Sequence, residues 1–447
     1  MYQFLRERFA RGGREIRKHS AELEKSQWLP LEEVRRIQLE KLKRLVQYAY
    51  ENVPFYRNSL KKKGIVPSDI RSFKDYEAVP FVVRDDFFAS QEDLRSKSFR
   101  GQTFKDNTGG STGQVMEFIV DYSTSYWSYA NEKRFRGWYG VRPGDKKAWV
   151  WGALKNFPNW TLRDRLIKGY IKRNRFLNAH ALSEENMRKF ALEMQAWKPD
   201  MFRVYPSAMA IWGNFLTANK LDGIRPKLIE TSGEKLTPTQ RTIIESIFKS
   251  PIAEHYSSWE IYDIAYQCPE KGLHISEDRY LEVVDPQGKP VQPGEVGEVV
   301  ITSLIQYAMP FIRYKNGDMG ILEKSTCKCG RGLPLLKEVI GRKDDLLVRP
   351  DGQPVHGAVM DYTCRSFPEI KQFQLYQPDR TNLIVRLVCY RPVDKGWIAK
   401  FTGEMQPFFG PEMKIHVEIL DKIPLTPSGK LRFILSDVKP ENLKIYS

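Results

Sequence analysis

The segment Thr108 to Gln114, TGGSTGQ, gathers three glycines and three short hydroxyls in seven residues. Gly109, Gly110 and Gly113 can turn backbone N–H groups toward one point, and Thr108, Ser111 and Thr112 add hydroxyl donors, so the segment has the make-up of an anion cradle. It is not a Walker loop. No Gly-Lys-Ser/Thr ending follows, and the next residues, Val-Met-Glu-Phe-Ile-Val, alternate like a strand where a P-loop would open a helix. The same residues also suit a plain hairpin turn. A second group lies further on: Cys268 and His274 in QCPEKGLH, with Cys327 and Cys329 in CKCG. Three thiols and an imidazole form the donor set of a tetrahedral zinc, and the Pro and Gly beside them suit knuckle-like turns. Four protein ligands leave no open position, so such an ion would be structural; reduced, metal-free thiols are the other reading. Cys364 and Cys389 fall outside the set and read as buried thiols.

The elements that must position these groups change character along the chain. Residues 1 to about 100 are helix-rich and basic, and EEVRRIQLEKLKRLVQYAYENV carries a helical period that ends before Pro54. From about 101 to 340, strand-like runs (WVWG, MFRVY, KLIETSG, YLEVVD, GEVVITSL) alternate with helical stretches such as SEENMRKFALEMQAW and TPTQRTIIESIF. That alternation predicts α/β layers. After GRKDD the pattern becomes a small α+β one: LLVRPDGQPV, strands FQLYQ and NLIVRLVCY, a helix WIAKFTGEMQPFF, then KIHVEIL and the loop PLTPSGKLR. The expected boundary lies at Lys343 to Asp345.

A chain of 447 residues exceeds what one core usually serves, so at least two domains are expected. No apolar run approaches the roughly twenty residues that span a bilayer, and MYQFLRERFARGGREIRKHS lacks the apolar centre of a signal peptide. Five cysteines in this length argue against a disulfide framework. A cytoplasmic protein is expected. The formal charge of +16 favours anionic partners: nucleotides, coenzymes, nucleic acid or an anionic membrane face. The densest basic stretch, TLRDRLIKGYIKRNRF, places Leu162, Leu166 and Tyr170 at four-residue spacing and reads as an amphipathic helix, packed on its own domain or docked on the inner face of a membrane.

Read in order, TGGSTGQ is followed by SGE (Ser232 to Glu234), YSSWE (Tyr256 to Glu260), RYKNGD (Arg313 to Asp318), GRKDD (Gly341 to Asp345) and PSGK (Pro427 to Lys430). This series resembles the adenylate-forming acyl-CoA synthetase superfamily, and within it the phenylacetate–CoA ligase branch with its CapK-like and coenzyme F390 synthetase relatives. VQYAYENVPFY, RVYPSAMA and CKCGRGLP add to the likeness, which runs from about Lys41 to the C-terminus. The resemblance implies a large N-terminal adenylation domain of αβαβα-like layers with a strand-rich part (1–343), and a small mobile α+β domain (344–447). It implies an ATP- and Mg²⁺-dependent ligase that makes an acyl-adenylate from a small carboxylic acid and passes the acyl group to CoA. The Thr108–Gln114 loop would grip the phosphates, Glu260 would hold Mg²⁺, and Asp318 would accept from the ribose hydroxyls. Ser232, Gly233 and Glu234 would line the adenine side, with Tyr256 and Ser257 beside them. Arg342 would reach the ribose or α-phosphate, Asp344 would be the hinge, and Lys430 would bridge the carboxylate and α-phosphate in the first half-reaction. A Cys/His pattern like that of Cys268, His274, Cys327 and Cys329 also occurs in this branch.

Two residues depart from the pattern. The loop usually ends in Lys where this chain has Gln114, which removes a phosphate charge, and Trp259 stands where a Thr is common, adding bulk beside the acyl pocket. His255 is either a second acyl-pocket residue or a packed histidine. Within the family, a non-CoA amine or hydroxyl of a surface polysaccharide, or AMP transfer to a hydroxylated cofactor, are the alternative acceptors. The reading from another class is a basic nucleic-acid- or membrane-binding protein with a degenerate site; the dispersed basic residues and the lack of an RRM, KH or zinc-finger pattern speak against specific nucleic-acid recognition.

Overall fold

Helix α1 (Gly13–Ser26) leads into α2 (Leu31–Asn52), which buries Val34, Gln38, Leu42, Leu45, Val46 and Ala49, a stripe recurring every three or four residues. Each buried Leu or Val on that stripe contributes about 1.5–3 kcal/mol. The helix stops at Val53, extended at φ −121° because Pro54 follows, as the sequence predicts. The computed structural model describes residues 12–108, 116–152, 174–179, 181–343, 346–352, 354–356, 363, 367, 369–424 and 432–438.

The centre of the chain is a hydrogen-bonded run of eleven strands in the order β10-β11-β12-β13-β9-β8-β7-β6-β5-β3-β4. Strands β3 (Lys147–Trp151), β4 (Asn174–Asn178), β5 (Met201–Val204), β6 (Leu228–Thr231) and β7 (Ile252–Ser258) are parallel to their neighbours. All four residues of β6 are buried, as expected of a parallel strand covered on both faces. Helices α4 (Glu184–Trp197), α5 (Pro206–Ala218) and α6 (Pro238–Phe248) cover one face, with Phe190, Trp212 and Phe248 in the core beneath them. Helix α3 (Tyr122–Gly137) packs on the other, stacking Phe135 on Tyr266 at 5.0 Å.

At β7 the sheet turns antiparallel through β8 (Tyr262–Gln267), β9 (Leu273–Ile275), β10 (Arg279–Val284), β11 (Val296–Ser303), β12 (Tyr314–Glu323) and β13 (Leu335–Arg342). A separate antiparallel hairpin, β1 (Thr103–Asn107) and β2 (Glu117–Asp121), flanks the glycine-rich segment. Beyond residue 345, β14 (Leu346–Val348) pairs with β15 (Pro354–His356). A four-stranded sheet, β18-β17-β16-β19, packs α7 (Lys395–Phe409) over its own core of Leu375, Val385, Phe401 and Met405. Here β16 spans Ile370–Asp379, β17 Asn382–Cys389, β18 Lys414–Ile419 and β19 Ile434–Ser436. The expected α/β fold with a large N-terminal part and a small C-terminal α+β part is thus observed. One expectation is corrected: the end of the basic stretch, Asn174–Phe176, lies in strand β4 and not in a helix, because Phe176 aligns with Trp149 of β3 and their rings stack at 5.8 Å. The body of that stretch, like Cys364, lies outside the described residues. Among the described residues no helix is long and apolar enough to cross a membrane.

Candidate active site

The parallel strands end where ligands bind in open α/β sheets, at their carboxyl edge. Ser232 follows β6 directly, and its Oγ lies 3.2 Å from Oγ of Ser257 on β7. Gly233 holds φ +80°, and a Cβ there would meet the Tyr205 ring at 2.7 Å and Trp151 at 3.3 Å, so only glycine fits. Glu234 turns a carboxylate oxygen to the Ser207 N–H at 3.2 Å, at the N-terminal end of α5. That contact pins the loop.

Across the seam, β12 and β13 bring a polar cluster to Tyr256. The Tyr256 hydroxyl donates to Asp318 Oδ2 at 2.7 Å, Asn316 Nδ2 donates to the same oxygen at 2.6 Å, and Arg342 Nη1 lies 3.5 Å from Asp318 Oδ1. Arg342 also donates to the Asn316 carbonyl at 2.7 Å. Gly317 makes the approach possible: its φ is +81°, and a Cβ would sit 3.0 Å from the guanidinium. Tyr256, Asp318 and Arg342, expected together, are therefore in direct contact. Arg313 of the same RYKNGD run instead points inward, paired with Glu282 at 2.9 Å under the Phe81 ring.

Glu260 is half-buried beyond β7. The Tyr314 hydroxyl donates to its Oε1 at 3.3 Å, and no cation pairs with it among the described residues. Thr108 closes the mouth of the glycine-rich segment: its N–H donates to the Met116 carbonyl at 3.0 Å, and its Oγ1 accepts from the Met116 N–H at 3.1 Å and from Arg84 Nη2 at 3.3 Å. The strands on either side form the hairpin, but the connection from Thr108 to Met116 is far longer than a two-residue turn. Gly109, Gly110, Ser111, Thr112, Gly113, Gln114, the hinge residue Asp344 and Lys430 lie outside the described residues.

The sequence reading missed several neighbours. Arg84, Trp151 and Tyr205 belong to no expected site, and Asn316 sat unremarked within RYKNGD. Alternation along β12 would have found Asn316, which shares a strand face with Asp318.

Beneath Ser232 and Ser257 runs a buried ionic network. Glu230 accepts from Arg136 Nε at 2.8 Å and from the Tyr266 hydroxyl at 3.0 Å; Glu132 joins Arg136 at 2.7 Å to Arg203 at 2.6 Å. His255 lies between Glu230 Oε1 at 3.3 Å and Asp263 Oδ1 at 2.8 Å. Burial alone would raise both glutamates, but the Arg136 and Arg203 guanidiniums outweigh it and hold both well below the ordinary carboxylate value. Burial would lower His255, yet its two carboxylate partners raise it. The depressed glutamates contribute stability that is complete above their unfolded value of 4.5 and lost as pH falls through the folded one; the His255 contribution is complete below 6.5 and lost as pH rises through its raised value. Glu132→Gln should thus cost about 3 kcal/mol at neutral pH and flatten the acid limb of stability against pH, as measured by urea unfolding at several pH values. An unchanged acid limb would show that the pairing carries no linkage.

The Cys/His set assembles as expected: the ligand atoms of Cys268, His274, Cys327 and Cys329 all lie within 4.8 Å of one another. Cys268 and Cys327 sulfurs are 3.6 Å apart, and Cys329 Sγ is 3.2 Å from His274 Nε2. Burial lowers His274 to about 4, so its ring is neutral. Gly272 leaves room, since a Cβ there would strike Cys327 Sγ at 2.6 Å. The turn is held from outside by Arg331, whose guanidinium lies 4.7 Å from the Trp28 ring and 4.4 Å from that of Trp138. Arg331 also donates to Gln27 Oε1 at 3.1 Å, and the Gly332 N–H to the Gln27 carbonyl at 3.0 Å.

Residues 347–437 match the family model of the CapK C-terminal domain. The chain is 25% identical to protein CapK of Staphylococcus aureus over 416 residues, covering 90% of this chain and 89% of that one. It is 28% identical to a phenylacetate-coenzyme A ligase of Thermus thermophilus over 369 residues, covering 76% and 77% of the two chains. Among solved structures, a 2-hydroxyisobutyryl-CoA ligase in its postadenylation state is 21% identical, with a TM-score of 0.77 over 92% of this chain and 91% of its own. The same ligase in the thioesterification state gives 0.62. With the cluster around Asp318 at the carboxyl edge of the parallel strands, the chain is thus similar over most of its length to the phenylacetate–CoA ligases and CapK, and it shares the fold of a solved acyl-CoA ligase.

Proposed function

We propose that this enzyme activates a small carboxylic acid with ATP as an acyl-adenylate and transfers the acyl group to the thiol of CoA. The observation that carries the reading is the Tyr256–Asn316–Asp318–Arg342 cluster, which sets a carboxylate for ribose hydroxyls beside a guanidinium for phosphate. Ser232 is linked to this cluster through Ser257, the neighbour of Tyr256, and with Gly233 would line the adenine side. Glu260, a carboxylate without a cation partner among the described residues, fits Mg²⁺, which takes one or two carboxylates plus phosphate oxygens and would offset charge on the departing pyrophosphate. Arg84, which reaches Thr108, supplies the positive charge that Gln114 does not. The boundary between the two parts falls at Lys343 to Asp345, with Asp344 as hinge, so that the small part delivers Lys430 for adenylation and swings away for thiol attack.

The test is acid-dependent ATP–pyrophosphate exchange over a panel of aryl, short-chain, hydroxy and amino acids, followed by omission of CoA. Exchange without turnover in the absence of CoA supports the thioester route. Full turnover when an amine or hydroxyl acceptor replaces CoA supports the second reading, favoured by the CapK C-terminal match, in which that acceptor takes the acyl group and AMP leaves. No exchange with any acid defeats both.

The Cys/His cluster holds a structural zinc in the same reading. A tetrahedral ion with Zn–S bonds of about 2.3 Å sets sulfur pairs about 3.8 Å apart, and the 3.6 Å between Cys268 and Cys327 fits. Elemental analysis should return about one zinc per chain, and Cys327→Ser should lose it and lower the melting temperature by about 5 °C or more. A metal-free protein of equal stability would favour plain reduced thiols.

A further inference from the structure

If adenylation takes place at the Ser232–Ser257 edge, the acid's chain extends along the α3-facing side of the parallel strands, and the residues there set its chemistry. This inference rests on the adenylation reading above. The first rung below the nucleotide cluster is Trp151, Tyr205, Ser232 and Ser257, with the Trp151 and Tyr205 rings 4.1 Å apart. The second rung is Trp149, Arg203, Glu230 and His255: Trp149 aligns with Arg203, and Arg203 with Glu230. Two strand residues separate the rungs, about 6.6 Å, which is the length of a short acid and not of a fatty one.

A pocket for an alkyl or phenyl group would carry apolar side chains on that second rung. Here it carries a guanidinium, a carboxylate and an imidazole, walled by two indoles, with the Arg203 guanidinium 5.4 Å from the Trp149 ring and 5.6 Å from that of Trp151. The acceptors of the network are used: Glu132 and Glu230 each receive guanidinium contacts on both oxygens. The donors are not. Trp149 Nε1 is buried with no hydrogen-bond partner, and Arg203 Nε lies 3.2 Å from Glu230 Oε1 without the alignment of a hydrogen bond. What the rung lacks is an acceptor.

We infer that the acid activated by this enzyme carries a second oxygen acceptor on its chain, a hydroxyl or a second carboxylate, placed over Trp149 and Arg203. Plain alkyl and aryl acids are rejected because they would leave those donors dry and unpaired.

The experiment is pyrophosphate exchange by the full-length enzyme on matched probes: butyrate, 3-hydroxybutyrate and succinate, with phenylacetate as the aryl case. At least one oxygenated member should exceed butyrate and phenylacetate about 100-fold in kcat/KM, and which one does so separates hydroxyl from carboxylate. Trp149→Phe keeps the ring and removes only the N–H. It should narrow the discrimination about tenfold by raising the KM of the oxygenated acid and not that of butyrate. Because this substitution leaves the ionic network intact, its melting temperature serves as a check on folding. Butyrate or phenylacetate exchanging as well as the oxygenated acids would overturn the inference while leaving adenylation standing, as would an unchanged KM in a folded Trp149→Phe. Exchange with no acid at all would remove the adenylation reading and this one with it.

Discussion

Lys430→Ala is expected to lower acid-dependent ATP–pyrophosphate exchange by about 10²- to 10³-fold, the usual worth of one preorganised cationic or hydrogen-bonding group at a centre of developing charge. The reason is electrostatic: a carboxylate and a triphosphate must meet, and an ammonium between them gains most as the attacked phosphorus takes on charge. In the proposed cycle, its position in PSGK within the small C-terminal part would confine the contact to one half-reaction. Supplied with preformed acyl-adenylate and CoA, the variant should therefore form thioester at close to the wild-type rate. Equal losses in both assays would mean that Lys430 is needed for folding or for both steps, and its assigned role would fall.

Arg84→Gln should raise the KM for ATP by about 10- to 100-fold, which is the scale of one charged hydrogen bond to a phosphate. Arg84 opens the short helix Arg84–Ala89, and its guanidinium reaches Thr108, the residue that closes the glycine-rich segment. By the resemblance to that branch, a lysine is expected where this chain has Gln114, and in the proposed site Arg84 supplies that charge instead. The decisive variant is the double one: Gln114→Lys in the Arg84→Gln background should recover a large part of the ATP affinity. A purely structural Arg84 would show no such recovery, because a lysine on the loop cannot rebuild a packing contact in the wall.

Much of this arrangement was legible because the relevant signals are local. Pro54 ended its helix through its effect on Val53, and the alternation after Gln114 gave strand β2. The thiols and imidazole of the Cys/His cluster were readable as a set because three Cys and one His are a donor set suited to a tetrahedral zinc. Other features depended on which residues face each other across the sheet. Arg84 stands outside every motif and becomes relevant only where Val82 bridges to Tyr314. The Arg313 of RYKNGD looked equivalent to its neighbours, but its positive φ of 47° turns it toward Glu282 and the core. His255 could be read either as a pocket residue or as a packed one; it is buried between two carboxylates that come from β6 and β8. Tyr205 and Trp151 met at Gly233 only through the parallel register of β3 and β5.

The clasp between Arg331 and the Ser26–Leu29 corner joins residues 304 positions apart, and Gly332 fits so closely that a Cβ would overlap the Leu29 carbonyl at 1.8 Å. During synthesis, then, helix α1 leaves the ribosome long before the turn that clasps its C-terminal end exists. Gln27 and Trp28 must wait through the translation of the 304 positions that separate Gln27 from Arg331, at roughly 5–20 residues per second, before the turn bearing Arg331 emerges. For that interval of some fifteen seconds to a minute the N-terminal segment has no native seat at this end, which makes it the natural point of engagement for a chaperone acting on the nascent chain.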